Sequence, residues 1–490
     1  MVRTPSYVVR VALILAATIG PAAQAQQPSQ SDPQPQDQAV PPIPAYRSPL
    51  ASAADNGGNG DDNQKLDPDT RALAGAETLS LGEMRLTHSF WQPSFNLMET
   101  GDSNALGVNQ QNGSGWISWD NVSAGLELHR ISGDTNLSLS YQGGATVANN
   151  GGEGTSIYQN LSVSDRIAFR RGTISITDQL SYLPETGFGS SDGGLGLPVG
   201  IGLQNGFVPG QSILTGRGQR LANSFVTEVD ANLTPRSTIT FVGGYSLLHF
   251  FETDLLDVGD ATFQAGYNYQ LTRQDTVAVH YRFSAYRYSG VNQSINDNSI
   301  QLSYARRVTG RLAFQIGAGP EIAFSHIPIT GNPAPAGGTT TGSTTLVDWS
   351  LSTALSYGFE RGGVGVSYNH GVGGGAGVLA GSESDTVTGT ANRQFTRLIS
   401  ASLNVGYARN KGLSIGELTS TAATNQAFDY WFAGVNFTRP WGRTLSLLAN
   451  YQLQYQNSNT GFCVGATCGQ SVVRHVVSVG IGWHDHPITF

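Results

Sequence analysis

From Leu445 to Gln456 the chain alternates residue by residue. Leu445, Leu447, Ala449, Tyr451, Leu453 and Tyr455 are interleaved with Ser446, Leu448, Asn450, Gln452, Gln454 and Gln456. Successive side chains of a strand point to opposite faces, so this stretch reads as a strand with one apolar and one amide-rich face. Ala261, Phe263, Ala265, Tyr267, Tyr269 and Leu271 alternate in the same way with Thr262, Gln264, Gly266, Asn268, Gln270 and Thr272. So do Leu312, Phe314, Ile316 and Ala318 with Gln315, Gly317 and Gly319. Strands of soluble sheets average about five or six residues. These runs reach the ~9–11 residues that a tilted strand needs to cross hydrocarbon.

Composition supports the same reading. Of 490 residues 13% are charged and 62 are glycine, whereas globular domains carry about 25% charge and about 7% glycine. Lys65 and Lys411 are the only lysines. The hydrophobic fraction of 39% and mean hydropathy of −0.18 are too low for a bundle of membrane helices. A β-barrel that alternates apolar and small polar residues averages to such values. A net charge of −8 excludes the basic face that nucleic-acid binding requires, so no nucleic-acid partner is expected.

The N-terminus has the layout of an export signal. Arg3 and Arg10 precede the apolar run Val11 to Ile19, and Ala23-Gln24-Ala25 supplies the small-x-small cleavage pattern, giving a signal peptide over residues 1–25. The run is shorter than the ~20 residues a spanning helix needs. Residues 26–82, rich in Pro, Gln, Asn and Asp, are expected to form a disordered periplasmic lead, because they hold too little apolar surface to offset the entropy of ordering. The barrel is assigned to residues 83–490. Export places Cys463 and Cys468 under oxidising conditions, and a close pair in one loop favours a local disulfide over a metal site.

Short polar connections, such as Arg171-Gly172, Thr234-Pro235-Arg236, Thr309-Gly310-Arg311 and Arg361-Gly362, alternate with long Gly/Asn/Ser/Thr-rich ones, of which Pro184 to Arg217 is the largest. Outer-membrane barrels pair short periplasmic turns with longer extracellular loops in this way. The count between connections is about eighteen strands, from Thr87–Met98 to Val472–His484. Sixteen is the alternative, because Pro93 interrupts the first strand and Thr386–Phe395 is weakly apolar. An even count returns both ends to the periplasm. The fold class is an all-β, up-and-down antiparallel transmembrane barrel.

The last strand, with Val477, Val479, Ile481 and Trp483 on one face and a chain end at Phe490, resembles the C-terminal targeting strand of bacterial outer-membrane β-barrel proteins. Val242-Gly243-Gly244-Tyr245, Gly266-Tyr267 and Val405-Gly406-Tyr407 are similar to the Gly-aromatic strand ends of that group. The resemblance covers roughly Glu83 to Phe490. It implies a porin-like protein of the Gram-negative outer membrane, in contact with outer-membrane lipid and inserted by the barrel-assembly machinery. Pro487 and the polar His484-Asp485-His486 place the end of the strand near His484.

On the lipid face Trp349, Tyr357, Trp431, Trp441, Tyr451 and Trp483 are expected as interface anchors, while parity turns Tyr158, Tyr286 and Tyr430 inward. Parity also assigns Glu127, His129, Arg166, Arg170, Glu228, Asp230, His280, Arg282, Glu321, Asp348, Glu360 and Arg474 to the lumen as pore-lining candidates. Both signs occur, so opposed charges would set a transverse field across a mixed, weakly selective pore. Parity puts Asp165 and Asp178 toward lipid, at a cost unless they lie at the interface.

His484 and His486 have a spacing compatible with metal binding but no evident third ligand. No omptin-like or phospholipase-like motif marks a barrel hydrolase, and Gly371 to Gly377 lacks the lysine of a phosphate loop and reads as a surface connection. Neither enzyme activity nor a cofactor is therefore expected. The first functional reading is a passive channel for small hydrophilic solutes, constricted by the loop after Pro184. The alternative is a plugged barrel serving as a surface structural or interaction protein, or as part of polysaccharide export. Whether the chain forms a homo-oligomer stays open.

Overall fold

The computed structural model describes residues 72–75, 88–104, 116–149, 155–183, 219–251, 256–289, 293–329, 340–374, 379–413, 426–459, 463–464, 467–468 and 471–490. The strands in chain order are β1 (Phe90–Asp102), β2 (Ile117–Ser132), β3 (Thr135–Ala148), β4 (Thr155–Phe169), β5 (Gly172–Leu183), β6 (Arg220–Thr234) and β7 (Ser237–Phe250). Next come β8 (Val258–Gln270), β9 (Asp275–Tyr288), β10 (Ser294–Arg307), β11 (Leu312–Ile329), β12 (Thr340–Phe359), β13 (Gly362–Gly373) and β14 (Ser382–Thr396). The remainder are β15 (Ile399–Gly412), β16 (Ala427–Trp441), β17 (Leu445–Ser458), the two-residue pieces β18 (Cys463–Val464) and β19 (Thr467–Cys468), β20 (Ser471–His484) and β21 (Ile488–Thr489).

Each long strand pairs antiparallel with its neighbour in sequence, and β20 pairs on one side with β17 and on the other with β1. The sheet is therefore a closed barrel of eighteen long strands. Closure follows from the solvent: hydrocarbon offers no partner for a backbone N–H or C=O, so a spanning sheet keeps no free edge. The seam runs from Ser94 opposite His484 to Asp102 opposite Val476. Pro93, which has no N–H to donate, falls just outside that register, and its carbonyl accepts from the Asp485 amide at 3.2 Å. The first strand is thus continuous through its proline. β14, the weakly apolar segment, pairs along its length with β13 and β15, so the count is eighteen and not sixteen.

As the sequence implied, β20 ends at His484. After a three-residue break the chain resumes pairing as β21, with Ile488 opposite Trp91 and Thr489 opposite Phe90. The penultimate residues thus cap the seam instead of trailing free.

Connections at one end are as short as Gly133–Asp134, while at the other end they reach the span 184–219. The His484 amide bonds the Thr444 carbonyl and Phe90 lies opposite His129, so both termini of the barrel proper sit at the short-turn end. Along β9 from Ala278 to Tyr288 and along β10 from Ile295 to Ala305, buried residues alternate with exposed or partly exposed ones. The exposed set, including Ile300 and Leu302, is apolar, and the buried set is mostly polar. Trp349 and Trp431 lie on the exterior toward the long loops, and Trp91, Trp441 and Trp483 toward the short turns, giving the two aromatic girdles of a membrane barrel. Tyr357 and Tyr451 are likewise exposed, and Tyr158, Tyr286 and Tyr430 are buried on the inner side.

Asp165 and Asp178 keep the outward parity read from the sequence. Asp178 accepts a hydrogen bond from Asn223 Nδ2 at 2.9 Å, which offsets part of the cost of its placement.

An arginine at the bilayer midplane of a barrel costs about 2–4 kcal/mol. Ile300→Arg, halfway along β10, should lower the stability of the protein refolded in lipid vesicles by about that amount, read as a shift in the denaturant midpoint.

Candidate functional site: the lumen wall and its inserts

Ten of the twelve candidates lie on inward-facing strand positions. These are Glu127 and His129 on β2, Arg166 on β4, Glu228 and Asp230 on β6, His280 and Arg282 on β9, Glu321 on β11, Asp348 on β12 and Arg474 on β20. Arg170 and Glu360 do not: both occupy short turns and are exposed. Period-two reading assigns a face but cannot tell the last residue of a strand from the first of its turn. Glu360 lies 3.9 Å from Arg311 of the neighbouring turn, an exposed pair of small energetic weight.

Two of the inward arginines, Arg282 and Arg474, are paired with carboxylates along the wall. Arg282 Nη2 lies 2.9 Å from Glu321 Oε1 and 3.3 Å from Asp297 Oδ2, with side chains 2%, 0% and 0% exposed. The sheet register makes this contact: both Arg282 and Glu321 stand opposite Ser299, whose short side chain leaves room for the pair to meet over β10. A second pair closes the seam, where Arg474 Nε and Nη2 both reach Asp102 Oδ2 at 2.6 Å. Asp102 and Asp297 are the partners that sequence reading missed. Both sit at inward parity on their strands, so the signal was present but was not applied to them.

A hairpin end folds into the barrel from the long-loop side. At His370, Gly371, Val372 and Gly373 four consecutive residues are buried, so the in-out alternation of β13 is lost. The register with β12 stops at Leu351 opposite His370, where β13 leaves the wall. Val372 then packs with Tyr286, Tyr288, Ile295 and Ala323 on β9, β10 and β11, and its amide donates to Glu321 Oε2 at 3.0 Å. Tyr288 Oη donates to the Gly374 carbonyl, and Gln293 Nε2 to that of Ala380 at 3.0 Å. Gly381 has φ +83° and a Cβ there would meet Ile295 Cδ1, so only glycine fits. Gly371 to Gly374, read from the sequence as a surface connection, is therefore part of an inward-folded element. The loop from Pro184 to Arg217, expected to constrict the pore, lies outside the described residues.

A second element lies inside the barrel nearer the short-turn end, beside Asn268, Ala278 and Ala305. Residues 72–75 belong to the stretch expected to be a free lead, yet Leu73, Ala74 and Gly75 are buried inside the barrel. The Ala74 amide donates to Asn268 Oδ1 at 2.8 Å, and its carbonyl accepts from Gln264 Nε2 at 2.6 Å. Leu73 and Ala74 pack on Ala278 and Ala305. These four residues, Ala72-Leu73-Ala74-Gly75, are held by backbone hydrogen bonds to wall amides together with a small apolar contact.

Among the described residues, Asp348, His370 and Glu383 form a grouping in which each offers a potential metal-ligand atom, all within 4.8 Å of one another. His370 Nδ1 lies 2.8 Å from Asp385 Oδ1, and its ring stacks on Trp349 with centroids 4.5 Å apart. Sequence reading did not reach this set, because its members come from three strands. His484 and His486 are not part of it: His484 Nδ1 lies 3.2 Å from Gln92 Nε2.

A closed eighteen-strand sheet with an apolar exterior, two aromatic girdles and a polar interior admits one description. This is an outer-membrane-type β-barrel. No family model and no curated protein matches the chain. Solved structures similar to this barrel include Acinetobacter baumannii OccAB3, at 9% identity over 82% of this chain and 100% of that one, with a TM-score of 0.39. The outer membrane protein opdK from Pseudomonas aeruginosa is similar at 11% identity over 80% of this chain and 99% of that one, with a TM-score of 0.37. The ferric-catecholate import receptor Fiu from E. coli is similar at 8% identity over 82% of each chain, with a TM-score of 0.40. Closure and the apolar exterior are what place the barrel in a membrane.

Removing one partner of a buried ion pair costs about 3–5 kcal/mol. Glu321→Ala should destabilise the refolded barrel on that scale and also free the Val372 amide, so hydrogen exchange at Val372 should accelerate. Unchanged protection there would show that the hairpin end is held without Glu321.

Proposed function

We propose that this porin-like barrel is a passive outer-membrane channel for small hydrophilic solutes. The observation that carries the reading is the inward face: a closed wall of eighteen strands presenting Ser, Thr, Asn and Gln, with Arg282 and Arg474 held against carboxylates. Barrels of sixteen to eighteen strands leave an aqueous lumen. A neutral polar lining lets hydrated solutes pass without a binding site deep enough to trap them. Because Arg282 and Arg474 are each neutralised on the wall, neither acts as an isolated cationic ring, which supports weak charge selectivity.

The reading gives the protein no catalytic role. It includes export by residues 1–25, insertion by the barrel-assembly machinery, and a disulfide between Cys463 and Cys468. The β18–β19 ladder places those two cysteines directly opposite one another in its backbone register. Both should resist alkylation in the exported, unreduced protein and become reactive after reduction; labelling without reduction would remove the disulfide from the account.

In planar bilayers the refolded protein should give unit conductance steps and a reversal potential near zero in a salt gradient. Absence of steps, both in the native chain and after deletion of Glu185 to Arg217, would overturn the channel reading.

A further inference from the structure

The seat of residues 72–75 is built into the wall. On β8 the inward positions Gln264, Gly266 and Asn268 follow one another, so a glycine lies between two amides on the same face. The two amides bond the N–H and C=O of a single residue, Ala74. Gly266 makes the space for its methyl group, since a Cβ there would lie 2.4 Å from Ala74 Cβ. The neighbouring strands continue the depression with Ala278 and Ala305, and Leu73 fills it. On the far side Gly75 approaches Glu228 so closely that a Cβ would meet its carboxylate. Small residues at Gly266, Ala278 and Ala305 leave a hollow in an otherwise side-chain-filled wall, and that hollow matches this chain's own backbone.

The length of chain permits the insertion. Twelve residues lie between Gly75 and His88, just before β1, and at ~3.3–3.6 Å per residue an extended chain of that length covers roughly 40 Å.

We propose that Ala72–Gly75 acts as an intramolecular gate. Seated on β8, β9 and β10, it narrows the periplasmic half of the lumen, and its release widens the pore. The inference rests on the channel reading above and adds to it a control element belonging to the same chain. Among the described residues the seat is held by Asn268 on the Ala74 amide, by Gln264 on the Ala74 and Gly75 carbonyls, and by a small apolar contact, a set that can open locally while the eighteen-strand sheet stays closed.

The test uses the full mature chain and substitutions confined to the segment, which leave the barrel sequence intact. Ala74→Asp puts a carboxylate against Gly266 in a hollow shaped for a methyl group, where its volume is not accommodated; Ala74→Ser nearly keeps the size and keeps the backbone of the native residue. Heat-modifiable gel mobility confirms that each variant is a folded barrel. In the native chain and Ala74→Ser the residue-74 amide should be protected from hydrogen exchange, and in Ala74→Asp it should exchange about tenfold faster or more. Unit conductance should rise in Ala74→Asp by about twofold or more as the lumen opens, and Ala74→Ser should behave as native. A native amide that exchanges like an unstructured peptide overturns the gate, as does an unseated Ala74→Asp with native conductance; both leave the channel standing. A chain that is silent in every form overturns the channel reading and the gate with it.

Discussion

Every feature of this protein depends on the absence of water in the membrane interior. A backbone group left unpaired in hydrocarbon costs several kcal/mol, so the sheet must close, and β1 must meet β20 in register. Closure in turn gives each strand one lipid face and one lumen face, and the two-residue alternation follows. The low charge of the chain has the same origin, because half of the barrel surface excludes ionised groups and the other half is supplied mainly with hydroxyls and amides. Even the terminal β21 serves this constraint by extending pairing along β1 past the proline-bearing end of the seam.

Inside the wall the physics reverses. The lumen admits charge, but neighbouring strands stand close enough for opposite charges to meet, and Arg282 is held by carboxylates from β10 and β11. Glu321 also receives the Val372 amide, so one carboxylate ties the wall arginine to the hairpin end that folds inward. The glycines serve a related purpose. Gly381 permits a left-handed backbone against Ile295, and Gly266 permits a methyl group to lie on the wall. High glycine content thus reflects places where backbone approaches wall, as well as loops.

The sequence carried the barrel almost completely, because alternation is local and each strand reports its own two faces. Val479 or Gln452 can be assigned a face from its neighbours alone. Arg170 and Glu360 show where this stops, since parity continues smoothly into a turn while the chain has already left the wall. The inserts were not readable at all. Ala74 and Asn268 are 194 positions apart, and the contact uses a backbone amide that every non-proline residue possesses. The inward turn of β13 left only a glycine run, which suits a mobile connection and a close-packed one equally well.

The central claim is that alternate residues of each strand face lipid and lumen around a closed wall. Oxygen accessibility of spin labels placed singly at Ser299, Ile300, Gln301, Leu302 and Ser303 in lipid vesicles tests it most directly. The account predicts high oxygen exposure at Ile300 and Leu302 and low exposure at the three residues between and beside them. Uniform exposure along the segment, or a maximum recurring every three to four residues, would contradict it.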